Sequence, residues 1–282
     1  MNFSRQLKIN CIGWMFSAVI YSTCIPQIAF CQTTARQTYK DVKISFELDD
    51  DMFPANWLKK PHSISAKPLK ETEWARSEMI VKQALNRYPQ AVLEKHLKRV
   101  YVITDLHFTG IQAGGTYWKD RVFMSNKGVR MGFTDKYLLE SFHHEFSSIL
   151  FRKNRAEFDL DKWKSANERG FKYGGSGTNA IKQGKGSLYF ERKLGERGFI
   201  NQYAMSSVEE DFNTISARLF TVNDSFRNIY KKYPRLRKKI DIAIEFYESI
   251  DPQLNKSFFL GESGDKPVRN KLLESFRISN NY

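Results

Sequence analysis

The segment from Thr134 to Phe151 constrains the fold most, because its apolar residues recur at the spacing of one helical face. These residues are Tyr137, Leu138, Leu139, Phe142, Phe146, Ile149 and Leu150. Thr134 is a favourable N-cap residue, and Arg152 and Lys153 place positive charge at the other end, where the helix dipole favours it. The pattern predicts an amphipathic helix over residues 134–151, with one face in the core.

This helix carries half of a zinc-site motif. His144-Glu145 matches the start of H-E-x-x-H, in which two histidines one turn apart bind zinc and the glutamate acts as general base. The second histidine position holds Ser148, whose neutral hydroxyl is a weaker zinc ligand than imidazole. Because His143 is turned about 100° from His144, it should point elsewhere, whereas Glu140 lies on the same stripe as His144. A set of Glu140, His144 and Glu210 is therefore an alternative ligand group.

A second helix is predicted to begin near Ser207, and its apolar positions are Phe212, Ile215, Ala217, Leu219 and Phe220. Ser206-x-x-Glu209 and Ser207-x-x-Glu210 both match the capping box. We interpret Glu209 as a capping residue. For Glu210 the hypothesis of a metal ligand stays open beside capping, since a third ligand must come from a second helix when the first supplies the others.

Two short segments resemble a known family. Residues 142–150 read FHHEFSSIL, and residues 203–212 read YAMSSVEEDF. They resemble the active-site helix and the second segment of the zinc-binding metallopeptidases found among exported and lipid-anchored proteins of Gram-negative bacteria. The spacing from tyrosine to glutamate is also similar to that of lethal-factor-type gluzincins. In the order of its elements the similarity covers roughly residues 100–220, and only the two segments are specific.

The resemblance implies roles for four residues. His144 and Glu210 would be zinc ligands, Glu145 the general base, and Tyr203 the phenol that stabilises the oxyanion. Ser148 stands where the family has its second histidine. A zinc hydrolase needs about three protein ligands and one open position, so this departure is expected to weaken zinc binding steeply.

Strands are predicted at residues 42–46, 100–103 and 121–125, and helices at residues 71–88 and 91–97. A sheet followed by the His144 helix is the element order of metallopeptidase catalytic domains. The expected fold class is α+β, with a small, mostly antiparallel sheet packed on the active-site helix and a helical C-terminal half. We expect a single metallopeptidase-like domain over residues 32–282. His96, in the second helix, is interpreted as an ordinary surface or half-buried histidine.

Residues 1–31 are predicted to be a signal peptide, with a basic start, a short apolar core and a small-x-small site before Gln32. A lipid anchor through Cys24 or Cys31 is the less favoured alternative. All three cysteines lie in this leader, so an exported mature chain would have no thiol ligand or nucleophile. We expect a periplasmic or secreted protein with no integral membrane segment and no nucleic-acid partner. Its net charge of +14 favours an anionic surface or polysaccharide as a further partner.

Two further segments invite a functional interpretation. Residues 154–201 are rich in glycine and are interpreted as a surface excursion or as a flap over a cleft, with Tyr173 and Tyr189 as candidate substrate contacts. Between residues 231 and 239 the chain carries a dense basic cluster, interpreted as a solvated helix face or as an anion-binding patch. Its members are Lys231, Lys232, Arg235, Arg237, Lys238 and Lys239.

Two functional hypotheses follow from the sequence, and a third interpretation, an unrelated helical domain with a chance His-Glu pair, stays open beside them. The first is an exported zinc metallopeptidase that hydrolyses peptide bonds through a metal-activated water at an atypical site. The second is a catalytically inactive homologue that acts as a binding or scaffold module. His144, Glu145, Tyr203 and Glu210 favour the first, and Ser148 favours the second.

Overall fold

The computed structural model describes residues 34–261 of the protein. The predicted signal peptide, with all three cysteines, lies outside the described residues. Within the described range, no helix combines the length and the apolar character needed to cross a membrane.

Seven strands form the sheet. They are β1 (Arg36–Tyr39), β2 (Val42–Ser45), β3 (Ser65–Lys67), β4 (Arg99–Phe108), β5 (Ile111–Gln112), β6 (Gly115–Trp118) and β7 (Arg121–Ser125). The order across the sheet is β1-β2-β4-β7-β6, and β3 and β5 both pair with the second half of β4. The predicted strands correspond to β2, β4 and β7, and β7 has the predicted bounds.

The sheet is mostly antiparallel, as predicted, but its three central strands run parallel. Strand β4 pairs in parallel with β2 on one side and with β7 on the other, while the remaining pairings are antiparallel. Parallel neighbours need a crossover connection. Helices supply it between β2 and β4, and the excursion through β5 and β6 supplies it between β4 and β7.

From β7 to residue 261 the regular structure is helical, which confirms the expected α+β class. The helices are α1 (Trp74–Leu85), α2 (Gln90–His96), α3 (Asp135–Lys153), α4 (Leu160–Ser165), α5 (Gly177–Lys182), α6 (Arg192–Arg197), α7 (Val208–Phe220), α8 (Asp224–Lys232), α9 (Pro234–Ile250) and α10 (Lys256–Leu260). The helix predicted at 134–151 is α3, and its N-cap is Thr134.

Both faces of the sheet are covered, which explains the continuous apolar run in β4. Val100 and Val102 pack in the main core with α3, α7 and α9, while Tyr101 and Ile103 point to a second cluster formed with the segment before β3. Alternate side chains of a strand point to opposite faces, so a strand buried on both sides is apolar throughout. The main core fixes α3 and α7 against each other through rings such as Phe146 and Phe212.

One basic residue of the predicted surface cluster is in the interior. Lys239 is fully buried, whereas the other five cations of the cluster are exposed. The interpretation of the whole cluster as a solvated face is therefore wrong at Lys239. This residue lies three positions after Leu236 and four before Ala243, both of which are buried, so it falls on the apolar stripe of α9.

His96 is likewise more buried than predicted. Its side chain is 2% exposed, and neither ring nitrogen has a hydrogen-bond partner among the described residues. Burial, helped by the positive charges of Lys153 and Lys95, lowers the pKa of His96 to about 4. The interpretation of His96 as a surface or half-buried histidine is therefore wrong.

The buried His96 should make stability depend on pH. The unfolded chain takes up a proton at His96 near its ordinary pKa, and the folded chain does so only near pH 4, so stability is lost as pH falls between these values. From pH 7 to pH 5 the loss should be about 2 kcal/mol. Urea unfolding of the parent and of His96→Leu at both pH values measures it. An equal drop in the two proteins would contradict the assignment.

Candidate active site

The helix α3 presents one face to the core and another to a cleft. The side chain of Thr134 accepts a hydrogen bond from Tyr137 N at 3.2 Å, which fixes the start of the helix. The core face contains Leu138, Phe142, Phe146, Ile149 and Leu150. Residues on the cleft side are Tyr137, Glu140, Ser141, His144, Glu145 and Ser148. His144 and Ser148, one turn apart, therefore share the cleft-facing stripe.

The cleft is an open cavity of about 350 Å³. The loop from Phe108 through strand β6 forms one wall, and α3 and the start of α7 form the floor. The glycine-rich segment forms the opposite wall, with Ser176, Gly177, Thr178, Ile181, Gly186 and Leu188. Part of the predicted flap thus lines the cleft. Tyr173 and Tyr189, the candidate substrate contacts, are not among the lining residues.

The first turn of α7 directs three consecutive acids to three different partners. Ser207 caps the helix by accepting a hydrogen bond from Glu210 N at 3.1 Å. Glu209 Oε1 accepts from Tyr117 OH at 2.5 Å and Glu210 contacts His144, whereas Asp211 points into the interior. Successive helical residues are rotated by about 100°, so one turn can serve the strand wall, the cleft and the core at once.

His144 and Glu210 meet across the cleft. Their Nε2 and Oε2 atoms are 2.9 Å apart, and both side chains are about four-fifths buried. Burial alone would lower the pKa of His144, but the hydrogen bond to Glu210 and its negative charge outweigh burial, so the pKa of His144 is raised. The two residues predicted as ligands from separate helices are therefore brought together.

Glu145 and Tyr203 line the same cleft. Burial raises the pKa of Glu145 to about 8; the positive charge of His144 lowers it, and the charges of Glu210 and Glu209 raise it further. The Tyr203 hydroxyl lies beside Glu210, and burial together with the charges of Glu210 and Glu145 raises the pKa of Tyr203. Among the described residues, no side chain forms a hydrogen bond with the Glu145 carboxyl group. This group is therefore free to contact a bound molecule.

Two glycines let the strand wall approach α3 closely. A Cβ atom on Gly115 would lie 2.9 Å from Glu145 Oε1 and 3.0 Å from Phe123 O, and one on Gly114 would lie 2.2 Å from Tyr137 OH. These distances are too short for any side chain without a shift. Both positions therefore require glycine for the strand wall to lie this close to α3.

Gly177 performs the same function on the opposite wall. A Cβ atom there would lie 2.2 Å from Tyr203 OH and 2.5 Å from Glu210 Oε1. The glycine-rich wall therefore packs directly on two of the predicted site residues.

Sequence reasoning missed the partners of Glu209. The Glu209 carboxylate accepts hydrogen bonds from Tyr117 and, at 2.8 Å and 3.1 Å, from Arg152. The backbone N–H of Ser206, which a capping box would join to Glu209, donates instead to Tyr203 O at 3.0 Å. The interpretation of Glu209 as a capping residue is therefore wrong, since it links α7 to β6 and α3. The partners lie 92 and 57 residues away in the chain, so no local pattern could identify them.

Comparison with known proteins finds a family match over part of the chain. Residues 121–251 match the model of a family described as "Putative zinc-binding metallo-peptidase", and this range contains α3, α7 and all four predicted site residues. The match shows similarity to this family over residues 121–251. The resemblance predicted from the two short segments is confirmed.

A 2.10 Å crystal structure of a "putative zinc-binding metallo-peptidase from Bacteroides caccae ATCC 43185" is similar to this chain. It shares 16% sequence identity with a TM-score of 0.45, and the match covers 73% of this chain and 77% of that one. None of the curated proteins compared with the chain matches it.

The match to a zinc-binding metallopeptidase family raises the question of whether these residues fit zinc. Ser148 is 2% exposed, and its Oγ accepts a hydrogen bond from Asn213 Nδ2 at 2.6 Å. Within residues 34–261, no three His, Cys, Asp or Glu side chains are grouped so that they could hold a metal ion. His144 and Glu210 are two ligands where a zinc hydrolase needs three. The described residues therefore do not fit a catalytic zinc ion.

The alternative ligand set with Glu140 is also wrong. Glu140 Oε1 accepts a hydrogen bond from Arg218 Nη1 at 2.8 Å, and Lys136 Nζ lies 3.8 Å away. Glu140 is thus committed to an ion pair between α3 and α7, and it does not join His144 and Glu210 in a metal-binding group.

Proposed function

We propose that this protein is a peptide-binding module of the zinc-binding metallopeptidase family that does not hold a catalytic zinc ion. One observation carries the proposal. The position of the second histidine ligand is Ser148, which is buried and hydrogen-bonded to Asn213, so the pair of His144 and Glu210 stays incomplete. We also propose that it acts outside the cytoplasm, where the predicted signal peptide would send it.

The cleft suits an extended peptide. Strand β6 ends the sheet order, and within the described chain no strand pairs with its outer edge. The β5–β6 loop and β6 line the cleft from Gln112 to Tyr117, so backbone groups of the edge can pair with a peptide laid along them. Peptide binding by addition to a sheet edge needs no metal. The unpartnered carboxyl group of Glu145 and the hydroxyl of Tyr203 add polar contacts from the floor.

Zinc-dependent peptide hydrolysis is the second candidate. The observation that favours it is that His144, Glu145, Tyr203 and Glu210 line one cleft. If a third ligand came from a bound molecule, the family activity could survive in this chain. Peptides are accordingly the substrate class for both candidates.

Metal and peptide measurements on the same sample separate the candidates. The purified protein, without its leader, is dialysed against trace zinc, analysed for metal by mass spectrometry, and titrated with a fluorescent peptide library. Well under one zinc equivalent together with saturable peptide binding supports the module. About one equivalent, with hydrolysis that Glu145→Gln removes, supports the enzyme and overturns the first proposal. Absence of peptide binding in every member of the library also overturns it.

Gly177→Ala should weaken peptide binding about tenfold, the effect of losing one or two hydrogen-bonding positions. The new methyl group must displace Tyr203 and Glu210, which both line the cleft. Gly174→Ala is the matched control, because its Cβ would meet only Met205 O at 3.9 Å. Fluorescence anisotropy with the best peptide measures both. Equal affinities for the two variants would contradict the proposed peptide site.

A second partner is proposed for the exposed part of the basic cluster. None of Lys231, Lys232, Arg235, Arg237 and Lys238 forms an ion pair within the described residues. Arg235 and Lys238 instead donate to Asn167 O at 2.6 Å and Ser165 Oγ at 2.9 Å. Unneutralised cations on a protein with net charge +14 favour an acidic polysaccharide as partner.

Neutralising three of these cations should reveal that partner. The triple variant Lys231→Gln, Lys232→Gln, Arg237→Gln should bind an acidic polysaccharide at least about tenfold more weakly at low salt, and the difference should shrink at high salt. The control replaces Lys43, Lys59 and Lys70 with glutamine. These three exposed lysines lie near the N-terminal end of the described residues. An equal loss in both variants would mean that net charge, and not this patch, governs binding.

A further inference from the structure

A buried ion pair lies behind the cleft wall. Lys239 Nζ and Asp211 Oδ2 are 2.6 Å apart, and both side chains are completely inaccessible to water. Lys239 also donates to Gly198 O at 2.8 Å and lies 3.8 Å from the ring centre of Phe199. Asp211 also accepts from Tyr173 OH at 2.7 Å and from Trp163 Nε1 at 3.2 Å.

Such a pair is a poor way to gain stability. Taking two charged groups out of water is costly, and apolar residues of similar volume often stabilise a core equally well. The second oxygen of Asp211, Oδ1, has no hydrogen-bond partner among the described residues, which adds to the cost. We therefore look for the role of this ion pair in the segments that it holds in place.

The pair joins the two ends of the glycine-rich wall. The wall segment comprises residues 174–197, with Tyr173 just before it and Gly198 just after it. Tyr173 donates to Asp211 and Gly198 accepts from Lys239, so both ends of the segment are held by the same ion pair. The residues between them include those that line the cleft. The same carboxylate belongs to the residue after Glu210, so the ends of the wall and the first turn of α7 share one anchor.

Further hydrogen bonds connect the ion pair of Asp211 and Lys239 to the residues that line the cleft. Gly174 N and Gly175 N donate to Met205 O at 3.1 Å and Ser206 O at 2.7 Å, immediately before α7. Asn201 Nδ2 donates to Leu188 O at 3.2 Å on the other side. With both ends held, Gly177 stays in contact with Tyr203 and Glu210.

We propose that Asp211 and Lys239 are positioning residues, which anchor both ends of the segment 174–197 and thereby set the wall of the peptide cleft. The consequence for peptide affinity rests on the proposed function, whereas the consequence for the mobility of the wall does not. Without the anchor, the two ends of the wall keep only their remaining hydrogen bonds and become more mobile, and ordering the wall on peptide binding costs affinity.

The test uses the double variant Asp211→Asn, Lys239→Met. Asparagine keeps an acceptor for Tyr173 and Trp163, and methionine keeps the volume of Lys239 but cannot hold Gly198. Amide hydrogen exchange of residues 174–197 should become at least about tenfold faster, while exchange in α3 and β7 stays unchanged. The dissociation constant of the best peptide should rise about tenfold. A core role alone would change exchange throughout the domain.

The control removes a different ion pair, which joins α4 and α9. Lys162 Nζ and Glu245 Oε2 are 2.6 Å apart but exposed, so Lys162→Met, Glu245→Gln should change neither measurement. Unchanged exchange of residues 174–197 in the anchor variant overturns the proposal. If the parent binds no peptide, the proposed function fails, and the exchange measurement alone still decides on the anchor. If the double variant does not fold, Tyr173→Phe, which removes one anchor contact, must accelerate the same amides, and no acceleration overturns the proposal.

Discussion

Ser148→His is expected to convert the protein into a zinc-binding one. Position 148 is one helical turn after His144 on the cleft-facing stripe of α3, so a histidine there adds the third ligand to His144 and Glu210. Structural zinc sites with four ligands gain roughly 10–16 kcal/mol, so one ligand contributes about 3 kcal/mol, or about a hundredfold in zinc affinity. Mass spectrometry of metal after dialysis should find about one equivalent in the variant and well under one in the parent.

The larger side chain of Ser148→His must be accommodated beside Asn213, and its zinc binding must be checked with a control. Asn213 Nδ2 now donates to Ser148 Oγ at 2.6 Å in a buried position, so a second version of the variant should also carry Asn213→Ala. In both versions, adding His144→Ala must abolish zinc uptake while leaving the new histidine in place. One zinc equivalent in the unmodified parent would show that the ligand count from its own residues is wrong. Peptide hydrolysis measured on the same samples tells whether a third zinc ligand is sufficient for catalytic activity.

Local patterns predicted the elements that carry the site. The helix over 134–151 was predictable because both its apolar period and its N-cap are encoded within one segment, and the strand at 121–125 because it is short and continuously apolar. The contact between His144 and Glu210 could not be predicted from a local pattern. It joins residues 66 positions apart. It was predicted only through the family resemblance and through the need of a metal site for a ligand from a second helix.

The features that sequence reasoning missed depend on distant partners. The parallel arrangement of β2, β4 and β7 is set by crossover connections, which strand propensity does not encode. Glu209 looked like a capping residue because Tyr117 and Arg152 are far from it in the chain. The burial of Lys239 had a visible signal, since the residue continues the apolar stripe of Leu236, Ile240 and Ala243, but its charge concealed it within a basic run.

Lys239→Met alone should destabilise the fold strongly. It leaves Asp211 charged, fully buried and without its ammonium partner, and breaking a buried pair in this way costs about 3–5 kcal/mol in the free energy of unfolding. Trp163 and Tyr173 still donate to the carboxylate, but two neutral donors do not balance a buried charge. Urea unfolding followed by tryptophan fluorescence measures the loss.

The double variant Asp211→Asn, Lys239→Met separates the cost of an unpaired charge from the cost of losing the pair. With the charge removed, most of the lost free energy should return, because a neutral side chain in this interior has no ionic desolvation to offset. A double variant as unstable as Lys239→Met would mean that the ammonium group stabilises the fold chiefly through Gly198 O and the Phe199 ring. Full recovery of stability with a mobile wall would instead mean that the charges are kept for the position of the cleft.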